Sequence, residues 1–194
     1  MGVAPAVCAC SFTHGSLGTV RDDASRGDGS EELIDGPPAE GISSDVELVI
    51  EAESYTTNVT RGTHIWMLAI DVAGYRGTSA MRLLPDDGAP CISQVEAVCS
   101  ELQYSVVIPR DGTYRVFVRI RSTGAGDDSL WYGFDGVAEP VAITPMGVYN
   151  AWIWRDANQT FTLSAGAHVL GVWYRETGIR LDQVAVSTKT TAPP

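Results

Sequence analysis

Three carboxylates are the residues best placed to do chemistry in this chain. Val46 to Tyr55 reads VELVIEAESY and alternates strictly. In a strand, alternate side chains share a face, so Val46, Leu48, Ile50 and Ala52 point one way and Glu47, Val49, Glu51, Glu53 and Tyr55 the other. Glu51 and Glu53 therefore stand side by side, where like charges raise each other's pKa unless a cation separates them. Asp182 lies in another strand-like run, Ile179 to Val186, where alternation gives it a face with Val184 and Val186. A carboxylate on a half-buried face is costly unless it is paired or bound to a cation. The expectation is that Glu51, Glu53 and Asp182 meet around a hard, oxygen-liganded cation, with Ca²⁺ the best match. Such a cation would clamp the first strand to the last. The competing reading is a solvated acidic strand edge with no metal.

The elements that must position these residues are short. Strand-like runs are separated by Gly, Pro, Asp and Ser clusters, and no stretch of ten residues carries a period of 3.6. Tyr104, Val106 and Ile108 alternate up to Pro109, and Asp111-Gly112 signals a tight turn. Tyr114, Val116, Val118 and Ile120 then form one strand face, with Arg115, Phe117, Arg119 and Arg121 on the other. Further runs are Ala80 to Leu84, Leu130 to Phe134, Trp152 to Trp154, Phe161 to Leu163 and His168 to Tyr174. The reading is an all-β sandwich or jelly roll of eight or nine antiparallel strands.

The chain has 194 residues and 44% hydrophobic composition, enough for one sizeable core plus a tail. A net charge of −11 argues against non-specific nucleic-acid binding and against a basic membrane-surface patch. No apolar run is long enough to span a bilayer. Residues 1–45 read as a disordered leader or tether, 46–187 as the folded module, and 188–194 as a frayed tail. Val7-Cys8-Ala9-Cys10 resembles a bacterial lipobox. If the true start lies upstream, Cys10 would carry lipid and tether a surface lipoprotein. Cys91 and Cys99, eight apart in one loop, are expected to form a disulfide, which implies an oxidising compartment. Two free thiols in a cytosolic loop are the alternative.

The ordered series Glu51-Ala52-Glu53, Gly74-Tyr75-Arg76-Gly77, Ile108 to Ser122, Phe134-Asp135-Gly136, the Trp pair, Ala165 to His168 and Tyr174 to Val186 resembles the β-sandwich carbohydrate-binding modules grouped as families 6 and 35. The resemblance covers about three quarters of the chain. It implies a galactose-binding-like jelly roll that binds polysaccharide without catalysis. It also implies a structural Ca²⁺ at Glu51, Glu53 and Asp182, and a sugar site in the loops at one end. The matching loops are Gly74 to Gly77, Ser122 to Asp128, Pro145 to Trp154 and Arg175 to Gly178. The long insert holding Cys91 and Cys99 departs from the pattern and could shape or block that end.

Sugar recognition needs an aromatic platform for the apolar ring face and planar polar groups for the hydroxyls. Trp152 and Tyr75 are the expected platforms, with Trp154 a third. Asp128, Arg175 and Glu176 would fix orientation, with Asp127 nearby. An Arg in the site would suit a uronate, whose carboxylate matches its fork. The plainer alternative makes both Trp residues core and pairs Arg175 with Glu176. Catalysis has little support. His14, His64 and His168 have no triad or metal-ligand partner at recognisable spacing, and Arg119, His168 and Tyr132 are imaginable members of a lyase site with no spacing to favour them. The expected protein is an extracellular or surface-anchored monomer. Its partners are a glycan, no nucleic acid, and a membrane only through an N-terminal lipid. A structural or adhesive lipoprotein domain without sugar binding is the second reading.

Overall fold

In the computed structural model, residues 45–144 and 147–194 are described. The Cys8-Cys10 motif and the tether lie outside them. The described residues form twelve strands: β1 (Glu47–Glu51), β2 (Thr57–Val59), β3 (Ile65–Ala69), β4 (Ala80–Leu84), β5 (Glu101–Ile108), β6 (Gly112–Arg121), β7 (Leu130–Phe134), β8 (Val137–Ala138), β9 (Ile153–Arg155), β10 (Phe161–Leu163), β11 (Gly166–Tyr174) and β12 (Arg180–Ser187). One sheet runs β10, β6, β12, β4, β3, with β1 also on β12 and β9 also on β6. The second runs β2, β5, β11, β7, β8. All the pairings are antiparallel. The architecture is the all-β sandwich that the alternation predicts.

Alternation works where both faces differ in polarity. On β6, Tyr114, Val116, Val118 and Ile120 are buried, and they meet Leu102, Tyr104, Val106 and Ile108 of β5 and Leu170 and Val172 of β11 in one core. Each such side chain contributes about 1.5–3 kcal/mol on burial, so the two inner faces hold the layers together. The nine runs named from sequence are all strands. The three extra ones are short (β2, β8) or unpatterned (β3). β3 reads IWMLA, and only Trp66 and Ala69 are buried. It is an edge strand, so its apolar residues carry no alternation to read.

Three local expectations are corrected. The first strand stops at Glu51, and Ala52–Ser54 forms a 3₁₀ turn, so the ten-residue alternation is only half a strand. On β12, the register with β6 slips between Leu181 and Gln183. Leu181 pairs with Ile120 and Val184 with Val118, both core residues, whereas Gln183 pairs with Arg119. Asp182 is the extra residue of this bulge, and its carboxylate meets Arg119 on the outer face, not the face of Val184 and Val186. The segment 188–194, expected to fray, instead makes defined contacts. The Thr188 amide donates to Val46 O at 3.0 Å, Lys189 pairs with Glu47 at 3.1 Å, and Arg76 donates to Pro194 O at 2.8 Å.

The insert between β4 and β5 contains one helical turn, α1 (Val95–Val98), and the Cys91–Cys99 disulfide. It is fastened to the β11–β12 turn. The Cys91 amide donates to Arg175 O at 2.8 Å and the Gly88 amide to Thr177 Oγ1 at 2.9 Å. Gly178 sits under it at φ 83°, where a Cβ would lie 2.6 Å from Asp86 Oδ1. A larger residue there would be strained by the positive φ and would have to push the Asp86 carboxylate aside.

Closing so short a loop should stabilise the fold by about 2–3 kcal/mol through the unfolded chain's lost entropy. The double variant Cys91→Ser/Cys99→Ser is therefore expected to unfold about 5–10 °C below the wild type. Thermal unfolding followed by circular dichroism checks this, and an unchanged midpoint would mean the insert does not depend on its bridge.

Candidate functional site

The predicted residues assemble into three neighbouring groups. The first is the carboxylate pocket. Glu51 lies opposite Gln183 and accepts a hydrogen bond from its Nε2 at 2.8 Å. Glu53 Oε1 accepts from the Thr78 amide at 2.7 Å, the Thr78 hydroxyl at 2.9 Å and the Ser79 amide at 3.2 Å. Glu51 Oε2 and Glu53 Oε2 are buried and accept nothing. Both side chains converge on Gly77, where a Cβ would stand 2.5 Å from Glu53 Oε1 and 2.9 Å from Glu51 Oε2. Gly77 also has φ 65°, so a side chain there is excluded twice. Burial raises the pKa of Glu51, and the charges of Glu53 and Asp182 raise it further against the Gln183 bond. Asp182 is fully buried, and burial raises its pKa too, opposed by its bonds from Arg119 and from the Arg76 amide at 2.8 Å.

Two orphaned carboxylate oxygens in one buried pocket suit a hard cation. The third expected ligand is different. Asp182 already has a hydrogen bond on each oxygen. Among the described residues, no three His, Cys, Asp or Glu side chains form a ready metal cage. A cation would therefore rest on Glu51 and Glu53, with Asp182 contributing while still held by Arg119 and with carbonyl or water oxygens filling the shell.

The second group is aromatic. Trp152 precedes β9 and is half-buried. Its indole N–H donates to Ala73 O at 3.0 Å. The Arg119 guanidinium lies 5.6 Å from its ring centre and donates to Gly74 O at 3.2 Å through both terminal nitrogens. Tyr75 is the next residue of that loop and is half-buried. Trp154 lies opposite Arg119 on β9, and its indole nitrogen is buried without a partner.

The third group is polar. Glu176 Oε2 accepts from the Asp128 amide at 3.0 Å and the Ser129 hydroxyl at 2.6 Å. Arg175 donates to Ser129 Oγ at 2.7 Å and to Glu176 Oε1 at 3.1 Å, and lies 5.4 Å from the centre of the Trp131 ring. Tyr149 donates its hydroxyl to Asp128 Oδ2 at 3.3 Å. Burial and the adjacent Glu176 push Asp128 up to about 6. Asp127, by contrast, caps its own loop, accepting from the Thr123 and Gly124 amides. The segment 147–152 spans the last two groups, with Tyr149 on Asp128 and Trp152 on Ala73. Pro145 and Met146, part of the expected loop, are outside the described residues.

Sequence reasoning missed Trp131, Ser129 and Tyr149. Trp131 had a signal. It points opposite to the core residues Leu130 and Tyr132 on the same strand, which is unusual for an indole. Its N–H donates to Cys91 O at 2.7 Å, so the insert shapes this wall by fixing an aromatic in it.

A Ser–His–Asp order also exists away from these groups. His168 Nδ1 is 2.7 Å from Asp135 Oδ2, and Nε2 is 3.4 Å from Ser164 Oγ. The bond from Asp135 raises the His168 pKa, which favours the imidazolium. That ring donates through Nδ1 to Asp135 and through Nε2 to Ser164 O at 3.1 Å. It then has no lone pair to take a proton from the Ser164 hydroxyl. The arrangement staples two hairpin turns together.

The pH dependence of Asp128 can be signed. A raised carboxyl pKa means that the fold favours the neutral acid. Its stabilising contribution is full below the unfolded value near 4 and is lost as pH rises through about 6. Asp128→Asn, which keeps an acceptor for Tyr149, should therefore raise the unfolding midpoint at pH 7.5 and leave it unchanged at pH 4. Equal midpoints at both pH values would rule out a strained carboxyl pair.

No family model matches the chain. It is 29% identical over 111 residues to a 1,6-α-glucosyltransferase of Sporosarcina globispora. That match covers 55% of this chain and 9% of the enzyme, so the chain spans about a tenth of that relative's length. A family 35 carbohydrate-binding module from Paenibacillus barcinonensis superposes with a TM-score of 0.54 at 17% identity, over 75% of this chain and 99% of the module. A family 35 module from Clostridium thermocellum gives 0.52 at 15% identity, over 73% and 97%. The chain has the β-sandwich fold of the family 35 carbohydrate-binding modules.

Proposed function

We propose that this chain is a non-catalytic carbohydrate-binding module stabilised by Ca²⁺. One observation carries the sugar reading. A half-buried indole, Trp152, is pinned by its N–H beside the loop of Tyr75, and segment 147–152 leads from it to the polar cluster of Asp128, Arg175 and Glu176. An oriented aromatic face beside planar hydrogen-bonding groups is what a sugar ring requires. The shared fold supports the same reading. Arg175 is already bonded to Glu176 and Ser129, so its fork is not free for a uronate without exchanging a partner. The polar cluster therefore favours neutral hydroxyls. Because the relative is named a 1,6-α-glucosyltransferase, dextran, an α-1,6-linked glucan, is the first ligand to test.

Glu51 and Glu53, with Asp182, are the proposed Ca²⁺ ligands, and the two unpartnered buried oxygens support them. Bound Ca²⁺ would neutralise the pocket and tie β1 to the Gly77 loop. The disulfide supports an oxidising, extracellular or cell-surface location. A structural domain with no sugar ligand is the second reading, favoured by Trp154, whose indole nitrogen is buried.

Two measurements test the proposal. A cation at about a hundred times its Kd stabilises the fold by about 2.7 kcal/mol, or about 5–10 °C in the midpoint. The full chain should show that rise in Ca²⁺ over EDTA, and Glu51→Ala should abolish it. In calorimetry with dextran and polygalacturonate, dextran should bind without product release. Trp152→Ala should then weaken it about tenfold or more, the scale of a lost aromatic anchor. Reducing sugar released from either polymer would mark an enzyme. Failure of both polymers to bind would favour the structural reading.

A further inference from the structure

The loop from Ala73 to Ser79 touches both the carboxylate pocket and the aromatic platform. At one end, the Arg76 amide bonds Asp182, and the Thr78 and Ser79 amides bond Glu53. At the other, Ala73 O and Gly74 O receive the Trp152 indole and the Arg119 guanidinium. Arg119 closes the circuit. It binds the Asp182 carboxylate, holds Gly74 O with both terminal nitrogens, and lies against the Trp152 ring. Asp182 in turn lies in the field of Glu51 and Glu53, whose outer oxygens have no partner.

We propose that Arg119 is a positioning residue that transmits divalent-cation occupancy of the Glu51/Glu53 pocket to the ring of Trp152. This rests on the Ca²⁺ reading above. Asp182 is paired with the half-buried Arg119, while Glu51 and Glu53 face only the exposed Arg76, so the pocket keeps an excess of negative charge that a divalent cation neutralises more fully than a monovalent one. Without the cation, Arg119 balances Asp182, and Arg76 is the positive charge that acts on Glu51. With it, the repulsion between Glu51 and Glu53 is relieved, their hold on the Gly77 side of the loop tightens, and Arg119 is held more firmly between Asp182 and Gly74, where it already stands. Trp152 is then fixed at its N–H and on its face. A ligand shifts a conformation only through contacts that differ between its states. Here the differing contacts are those of the 73–79 loop. Only a planar fork reaches a carboxylate and a carbonyl together while lying along an indole, so lysine keeps the charge and loses the geometry.

The test uses the full chain and Ca²⁺ alone. Trp152 emission is isolated as the difference between the wild type and Trp152→Phe. It should change saturably, with the same midpoint concentration as the Ca²⁺-induced rise in Tm. In Arg119→Lys, the Tm rise should persist while the emission change falls at least fivefold, and Arg119→Gln should behave alike. Near-UV circular dichroism verifies that each variant is folded. Acrylamide quenching of the wild type needs no Arg119 variant, and Ca²⁺ should at least halve the quenching of the Trp152 component. A full-sized emission change in Arg119→Lys overturns the proposal and leaves the Ca²⁺ site standing. So does a wild-type Tm rise with no change in Trp152 emission or quenching. No effect of Ca²⁺ on the wild-type Tm overturns the pocket and the coupling together.

Discussion

A carboxylate buried in a strand must find a positive charge, and the site is arranged around where Asp182 finds one. It is fully buried, and its two oxygens are taken by Arg119 and by the Arg76 amide. Removing one partner of such a pair leaves an unpaired buried charge, which costs about 3–5 kcal/mol. The bulge at Leu181–Gln183 exists to the same end. It turns Asp182 away from Val184 and toward the outer face, where Arg119 stands on β6. A regular strand would have driven the carboxylate into the core between the sheets.

Once Asp182 and Arg119 are joined, their neighbours follow. Arg119 reaches Gly74 O, which brings the 73–79 loop across the outer face of β6 and β12. That loop delivers two amides and a hydroxyl to Glu53 and a carbonyl to the Trp152 indole. The pocket and the aromatic platform are thus two ends of one loop. Gly77 allows it, because any side chain there would collide with the glutamates.

The other wall is built by the insert. Cys91 bonds the backbone of Arg175 and receives the indole N–H of Trp131, so an irregular loop fixes both a guanidinium and an aromatic. The disulfide holds this loop in place. Asp128 and Glu176 are crowded into the same corner, and burial with like charge keeps Asp128 protonated into mildly acidic conditions. The insert shapes the end of the sandwich and does not cap every polar group there.

The sequence by itself determined the sandwich. Period-two alternation on β5, β6, β7 and β11 survives because each has one apolar face, and the net charge of −11 argued against non-specific nucleic-acid binding. It also brought Glu51 and Glu53 together, though by a strand alternation that stops at Glu51; in the structure the two side chains converge on Gly77 from the strand end and the 3₁₀ turn after it. Other features needed the tertiary structure. β3 carries no readable pattern, because an edge strand sets no strict demand on either face. The side of Asp182 depends on a one-residue bulge, which inverts every downstream orientation and leaves no mark in composition. The partnership of Arg119 with Asp182, 63 residues apart, and that of Trp131 with the Cys91 carbonyl, 40 apart, arise only when distant strands are brought into register. Alternation sets which way a side chain points. What it meets is decided by the sheet beside it.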